Sequence, residues 1–167
     1  MSENFRQRLG YDAANGALRD GDTRYVMLRE DSLMGMFRRL TGPARADALE
    51  AFAASVAEHG THSAARYRAA DGDAGDLLAT IAATAAQLGW GLWRFSRTDA
   101  GELKLEVENS PFAHGYGASP RAVCAPIAGM FEAVASIVFD APMQVEEELC
   151  AAAGAALCRF SAQARRP

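Results

Sequence analysis

The spacing of the apolar residues changes from helical to alternating near Gly89, and this change constrains the fold more than any other feature. Before Gly89, apolar side chains recur every three or four residues, which is typical of one face of a helix. After it, the segments 92–96 and 103–108 alternate apolar and polar residues around a turn, which indicates an antiparallel hairpin with one wet face. Both periods in one chain predict an α+β fold, with a mostly antiparallel sheet packed on helices.

The other segments complete a predicted element order of β-α-α-α-β-β-α-β-β. A short strand is expected at 24–29, followed by a helix from about Asp31. A second helix is expected to begin at Pro43 and to end at Gly60. A later helix carries buried positions from Val123 onward, and a second hairpin surrounds the sequence AAAGA.

Length and charge narrow the class of protein. The chain has 167 residues, which fits one domain, and residues 1–22 show so little periodicity that they are expected to be an N-terminal arm before a domain at 23–167. The net charge of −4 argues against nucleic acid as a partner. No apolar run is long enough for a membrane span, and the polar N-terminus lacks a secretory pattern, so the cytoplasm is the expected location.

The three cysteines allow two interpretations. Cys150 and Cys158 flank the AAAGA turn, so a hairpin would bring their sulfurs together, and Cys124 lies near the start of a helix. Such thiols can be small buried apolar residues. They can also be metal ligands, with Glu147 as a fourth donor, but Glu147 and Cys150 would share a site only if the strand bends near residue 148 or 149. Three thiolates and one carboxylate would form a closed tetrahedral shell suited to structural Zn²⁺.

A ligand pocket would need large apolar side chains and a few polar groups. His114 lies in a glycine-rich loop and can donate a hydrogen bond to a bound molecule, whereas His59 and His62 are expected to be solvated. The other candidates, each with plain core packing as the alternative, are Trp90, Trp93, Phe95, Phe112, Tyr116, Met130 and Phe131.

The second half of the chain resembles the 4-vinyl reductase domain family, also called the hydrocarbon-binding domain. The resemblance lies in LEVENSPFA, in VCAPIAGMFEAVASIVF and in MQVEEELCAAAGAALCRF, and covers about 105–162. In the phenol-sensing members, zinc is held by three cysteines and a glutamate, and the matching positions here are Cys124, Glu147, Cys150 and Cys158. The resemblance also implies a homodimer. Residues matching the phenol-contacting histidine and tryptophan of those sensors are not evident.

The predicted function is non-enzymatic binding of a hydrophobic or aromatic small molecule, with zinc as a structural metal. No glycine-rich dinucleotide loop and no nucleophile with a base at recognisable spacing is present, so no catalytic residue is predicted. Two alternatives follow from the resemblance. One is an accessory or reductase-type role in tetrapyrrole (bacteriochlorophyll) synthesis, and the other is a structural tether like the vesicle-tethering relatives, which would have a filled pocket.

Overall fold

A computed structural model of the chain describes residues 4–71, 74–99 and 101–165. The elements, in order, are α1 (Phe5–Arg8), β1 (Gly10–Asp12), β2 (Ala17–Asp20), β3 (Thr23–Tyr25), α2 (Glu30–Arg39), α3 (Gly42–Asp71), α4 (Ala74–Leu88), β4 (Leu92–Arg97), β5 (Leu103–Glu108), α5 (Pro111–Tyr116), α6 (Ala125–Phe139), β6 (Met143–Leu149), a 3-10 turn (Ala151–Ala153) and β7 (Cys158–Ala164). The fold is α+β, as the sequence predicted. Within the described ranges, no helix is long and apolar enough to cross a bilayer.

The larger sheet has the strand order β4-β5-β7-β6, and every neighbouring pair is antiparallel. Leu103, Leu105 and Val107 of β5 are fully buried, because the alternating residues of a strand point to opposite faces. The other face is polar, where Arg159 of β7 donates to Glu106 of β5. The two predicted hairpins are therefore confirmed, and the register puts one apolar face against the helices.

Helices α3 and α6 cross at close range. A Cβ on Gly129 of α6 would lie 2.1 Å from the carbonyl oxygen of Ala53 in α3, so only glycine fits at this crossing. The prediction that Gly60 ends a helix is wrong, because α3 continues through it to Asp71. Glycine costs a helix about 1 kcal/mol, but here it makes room for Met130 of α6, whose Sδ would lie 2.7 Å from an added Cβ.

The described residues before β4 include a second, three-stranded sheet of order β1-β2-β3. Phe5 is buried, and its ring meets that of Tyr25 edge to face with centroids 5.3 Å apart. The strand predicted at 24–29 is shorter than expected, because it ends at Tyr25 and residues 26–28 are exposed. A separate arm at 1–22 stays a prediction, although its described part, from Asn4, forms regular elements.

Candidate functional site

The four predicted metal ligands come together in one cluster. One donor atom from each of Cys124, Glu147, Cys150 and Cys158 lies within 4.8 Å of the donor atoms of the other three. Cys124 is the residue that caps the N-terminus of α6, Glu147 belongs to β6, and Cys158 opens β7. All three cysteines are buried and have free thiols. We call this group the cysteine cluster.

The distances between the sulfurs match those of a tetrahedral metal site. Cys124 Sγ lies 3.6 Å from Cys158 Sγ and 3.9 Å from Cys150 Sγ. Sulfur ligands at a Zn–S distance of about 2.3 Å are separated by about 3.8 Å when the angles are tetrahedral. The cluster therefore has the spacing, as well as the donor atoms, that a soft divalent ion requires.

A bulge in β6 brings Glu147 and Cys150 to the same side. Glu147 pairs with Phe160 of β7, but Leu149 pairs with the adjacent Arg159, so the register shifts between Glu147 and Leu149. A bulge adds one residue to a strand and bends it. The sequence analysis required a bend at residue 148 or 149, and the structure contains it.

Backbone and side-chain groups hold the donors in place. The N–H of Cys124 donates to Glu147 Oε2 at 2.9 Å, and the N–H of Ala151 donates to Cys158 Sγ at 3.3 Å. Ser110 Oγ lies 3.3 Å from Cys124 Sγ and also accepts from a backbone N–H at the start of α5. Sequence reasoning missed Ser110, whose only signal was its place as a cap before Pro111.

The cluster concentrates groups that cannot all be ionised without a cation. Burial, together with the charge of Cys150, raises the pKa of Glu147 to about 8. Contacts with Cys150 and Cys158, and burial, raise the pKa of the Cys124 thiol far above its ordinary value. Glu147 Oε1 is buried and has no hydrogen-bond partner among the described residues. A divalent ion would remove both problems, since it replaces the protons and binds the oxygen.

A separate cleft of about 820 Å³ lies between α3, α4, β3 and the start of β4. Its floor contains the buried side chains of Ile81, Ala85 and Trp93. Trp90 lies beside Trp93, whose Nε1 donates to the Trp90 carbonyl at 3.0 Å. The two indoles, with ring centroids 6.4 Å apart, therefore form a fixed aromatic wall.

Polar and basic side chains line the outer part of the cleft. Arg24 comes from β3, and His59, His62 and Arg66 come from α3; all four are exposed. The histidines are solvated, as expected, but their place beside the cleft was missed. The spacing of 59, 62 and 66 indicates a common helical face. The pairing of that face with β3 is decided by the tertiary structure.

The predicted ligand-binding residues divide into two groups. Trp93 and Met130 line the cleft. Phe95 and Phe112 are outside its lining and support the wall from behind, with ring centroids 6.0 Å from Trp93 and 5.1 Å from Trp90, respectively.

The remaining three predicted residues lie elsewhere. Phe131 and Tyr116 are buried in the core. His114 has a side chain that is 82% exposed and is paired with Glu30. The structure therefore brings two of the seven candidates to the cleft, and ligand contact by the other five stays a prediction.

With the fold and both sites described, a comparison with known families identifies the class. Residues 103–164 match the model of the 4-vinyl reductase domain, so this part of the chain belongs to that family. The match includes all four residues of the cysteine cluster. Among curated protein sequences, none matches this chain.

Solved structures extend the likeness to the whole fold. The phenol-responsive sensory domain of the transcription activator PoxR, solved with phenol, superposes with a TM-score of 0.80 at 18% identity over 96% of this chain and 87% of that one. A trafficking protein particle complex subunit 3 from Naegleria fowleri, covalently bound to palmitic acid, gives 0.56 at 12% identity over 82% and 95%. A vinyl-4-reductase family protein from Methanocaldococcus jannaschii gives 0.51 at 13% identity over 85% and 98%. At these identities the likeness establishes the fold.

Proposed function

We propose that this protein binds a hydrophobic or aromatic small molecule in the cleft, without catalysis, and that a zinc ion in the cysteine cluster stabilises the fold. The observation that carries the proposal is the aromatic-walled cleft of about 820 Å³ in a fold similar to a phenol-responsive sensory domain. Ligand pockets have volumes of about 300–1,000 Å³ and are mostly apolar. The cleft fits both criteria.

The open cleft also separates this proposal from the structural-tether alternative. A tether predicts a pocket that side chains fill, whereas here the space between α3 and α4 is open to a guest. The domain from Naegleria fowleri holds palmitic acid, which is a hydrophobic guest in a similar fold. Binding therefore accounts for the structure better than a purely structural role.

Zinc is proposed because of the donor set. Three sulfurs and one carboxylate oxygen favour a soft or borderline ion over Mg²⁺ or Ca²⁺, which prefer oxygen ligands. Four protein ligands fill a tetrahedral shell, so the ion would be structural. It would fasten the β6–β7 hairpin to the start of α6, and structural zinc sites contribute on the order of 10 kcal/mol.

The bound molecule can be found by native mass spectrometry of protein purified from its own host. We expect a noncovalent guest and one zinc ion per chain, with the metal verified by elemental analysis. Protein that carries zinc but never a guest, and binds none when tested, would contradict the binding function. A chlorin that is chemically changed by the pure protein would instead support the reductase-type alternative.

Binding in the cleft can be measured by intrinsic fluorescence. The chain has 2 tryptophans, and both line the cleft, so the whole tryptophan signal reports on this site. A guest stacked on the indoles should quench or shift the emission. The homodimer implied by the resemblance is a further part of the proposal and is tested by light scattering during gel filtration.

A further inference from the structure

The cleft combines an apolar floor with a rim that carries positive charge. Arg24 and Arg66 are exposed residues of its lining, and His59 and His62 lie beside them. None of the described residues that line the cleft is an aspartate or a glutamate. The chain as a whole has a net charge of −4, so the sign of the charge at this rim is opposite to that of the molecule.

Three of the basic side chains form a stripe along α3. His59, His62 and Arg66 are separated by three and four residues, the spacing that places side chains on one face of a helix. Arg24 is contributed by β3, a separate element. The stripe therefore runs along the same mouth to which the second arginine is brought by the fold.

The two arginines have no carboxylate partner in the part of the chain that the structure describes. The carboxylate whose charge acts on the cleft residue Tyr25 is Asp20, and it is already bound by Arg8, whose Nη2 lies 3.1 Å from Asp20 Oδ2. The guanidinium groups of Arg24 and Arg66 are thus available to an anion that enters the cleft.

We propose that the guest of the cleft is an amphipathic carboxylic acid. Its aromatic or aliphatic body would lie against Trp90 and Trp93, and its carboxylate would be bound by Arg66, with Arg24 completing the charge. Guanidinium groups match carboxylates with two parallel N–H bonds, which adds geometric selectivity to charge. This inference rests on the proposed function, because it names the class of molecule that the same cleft would bind.

The test compares two probes with one carbon skeleton, 4-phenylbutyrate and 4-phenyl-1-butanol. Each is titrated into the full chain, with tryptophan emission excited at a wavelength where neither probe absorbs. We expect the acid to bind more than about tenfold tighter than the alcohol, since a hydrogen bond to a charged group contributes at least that much. The preference should shrink as salt concentration rises.

Variants assign the preference to the rim. Arg66→Met keeps an apolar side chain of similar length and should lose most of the preference for the acid while leaving the affinity for the alcohol unchanged. Arg24→Met should lose less of it. Arg121→Met removes an exposed arginine outside the cleft lining and is the matched control, for which no change is expected.

Two results would overturn the inference in different ways. If the alcohol binds as tightly as the acid, or the preference survives in the Arg24→Met/Arg66→Met double variant, the charged rim does not select the guest, and the proposed function still stands. If neither probe changes the emission and no guest copurifies, the proposed function itself fails, and the inference fails with it.

Discussion

The cysteine cluster and the cleft are assembled from residues with very different degrees of exposure. All three cysteines of the cluster are at most 3% exposed, and each donor is held by the backbone or by another donor. The cleft has a buried floor but an exposed rim of basic side chains. The comparison indicates a division of roles, in which the cluster fixes one end of the sheet and the cleft responds to what enters it.

Removing one sulfur from the cluster should have the largest effect on stability. Cys158→Ser is expected to lose the metal and to lower the free energy of unfolding by more than about 4 kcal/mol, because loss of a metal site is among the severe classes of substitution. Elemental analysis and urea denaturation measure the two effects. Ala156→Ser, at an exposed residue of the same turn, is the matched control. Unchanged metal content in Cys158→Ser would contradict the zinc proposal.

Metal removal should reveal the buried carboxyl of Glu147 through its pH dependence. The folded pKa of about 8 is above the ordinary value of 4.5, so the stripped folded protein binds more protons than the unfolded chain between these pH values. Its stability should therefore fall by a few kcal/mol as pH rises through this window. Bound metal, which competes with protons, should stabilise more at pH 8 than at pH 5.

The measurement is urea denaturation of chelator-treated and metal-loaded protein at both pH values. Glu147→Gln should flatten the fall in the stripped protein, whereas Glu146→Gln, at an exposed neighbour, should leave it. Stripped protein that is more stable at pH 8 than at pH 5 would show that Glu147 does not carry the effect.

Filling the cleft should abolish binding at a smaller cost in stability. Ala85→Phe places a large ring on the floor, next to Trp93, and is expected to reduce the binding of 4-phenyl-1-butanol below detection. Overpacking of this kind costs about 1–3 kcal/mol. Ala86→Phe, at the next and exposed position of α4, is the control that should keep binding. Equal loss in both variants would mean that the effect does not come from occupying the cleft.

His114→Ala should have the smallest effect. The side chain is outside the cleft lining and pairs with Glu30 at the surface, so its loss is expected to change stability by less than about 1 kcal/mol and to leave ligand affinity unchanged. Fluorescence titration measures the affinity. A clear loss would return His114 to the ligand site that its loop position suggested, and would show that the guest extends beyond the cleft.

The cluster was predictable because its signals are local and chemical. Cysteine is rare in this chain, a hairpin necessarily joins its two ends, and the family resemblance supplies the ligand set. Even the bulge beside Glu147 follows from requiring one side for two donors three residues apart. Where local rules failed, as at Gly60, the reason was tertiary, because α6 packs on the residue that would otherwise end the helix.

The cleft was predicted only in part. Trp93 and Met130 could be proposed as large apolar residues, but nothing in the sequence separates a residue that lines a cavity from one that fills the core, as Phe131 does. Arg66 and Arg24 gave no signal, because exposed arginines are common on any surface. Their meeting depends on β3 being laid beside α3 by the small N-terminal sheet.

By itself, the sequence determined the α+β class, the two hairpins and the identity of the four clustered side chains, because periodicity and ligand chemistry act over short distances along the chain. Only the tertiary structure decided which apolar residues leave a space between them and which basic residues surround it. Cavities and charged rims are made by elements far apart in sequence, and their shape depends on how those elements pack.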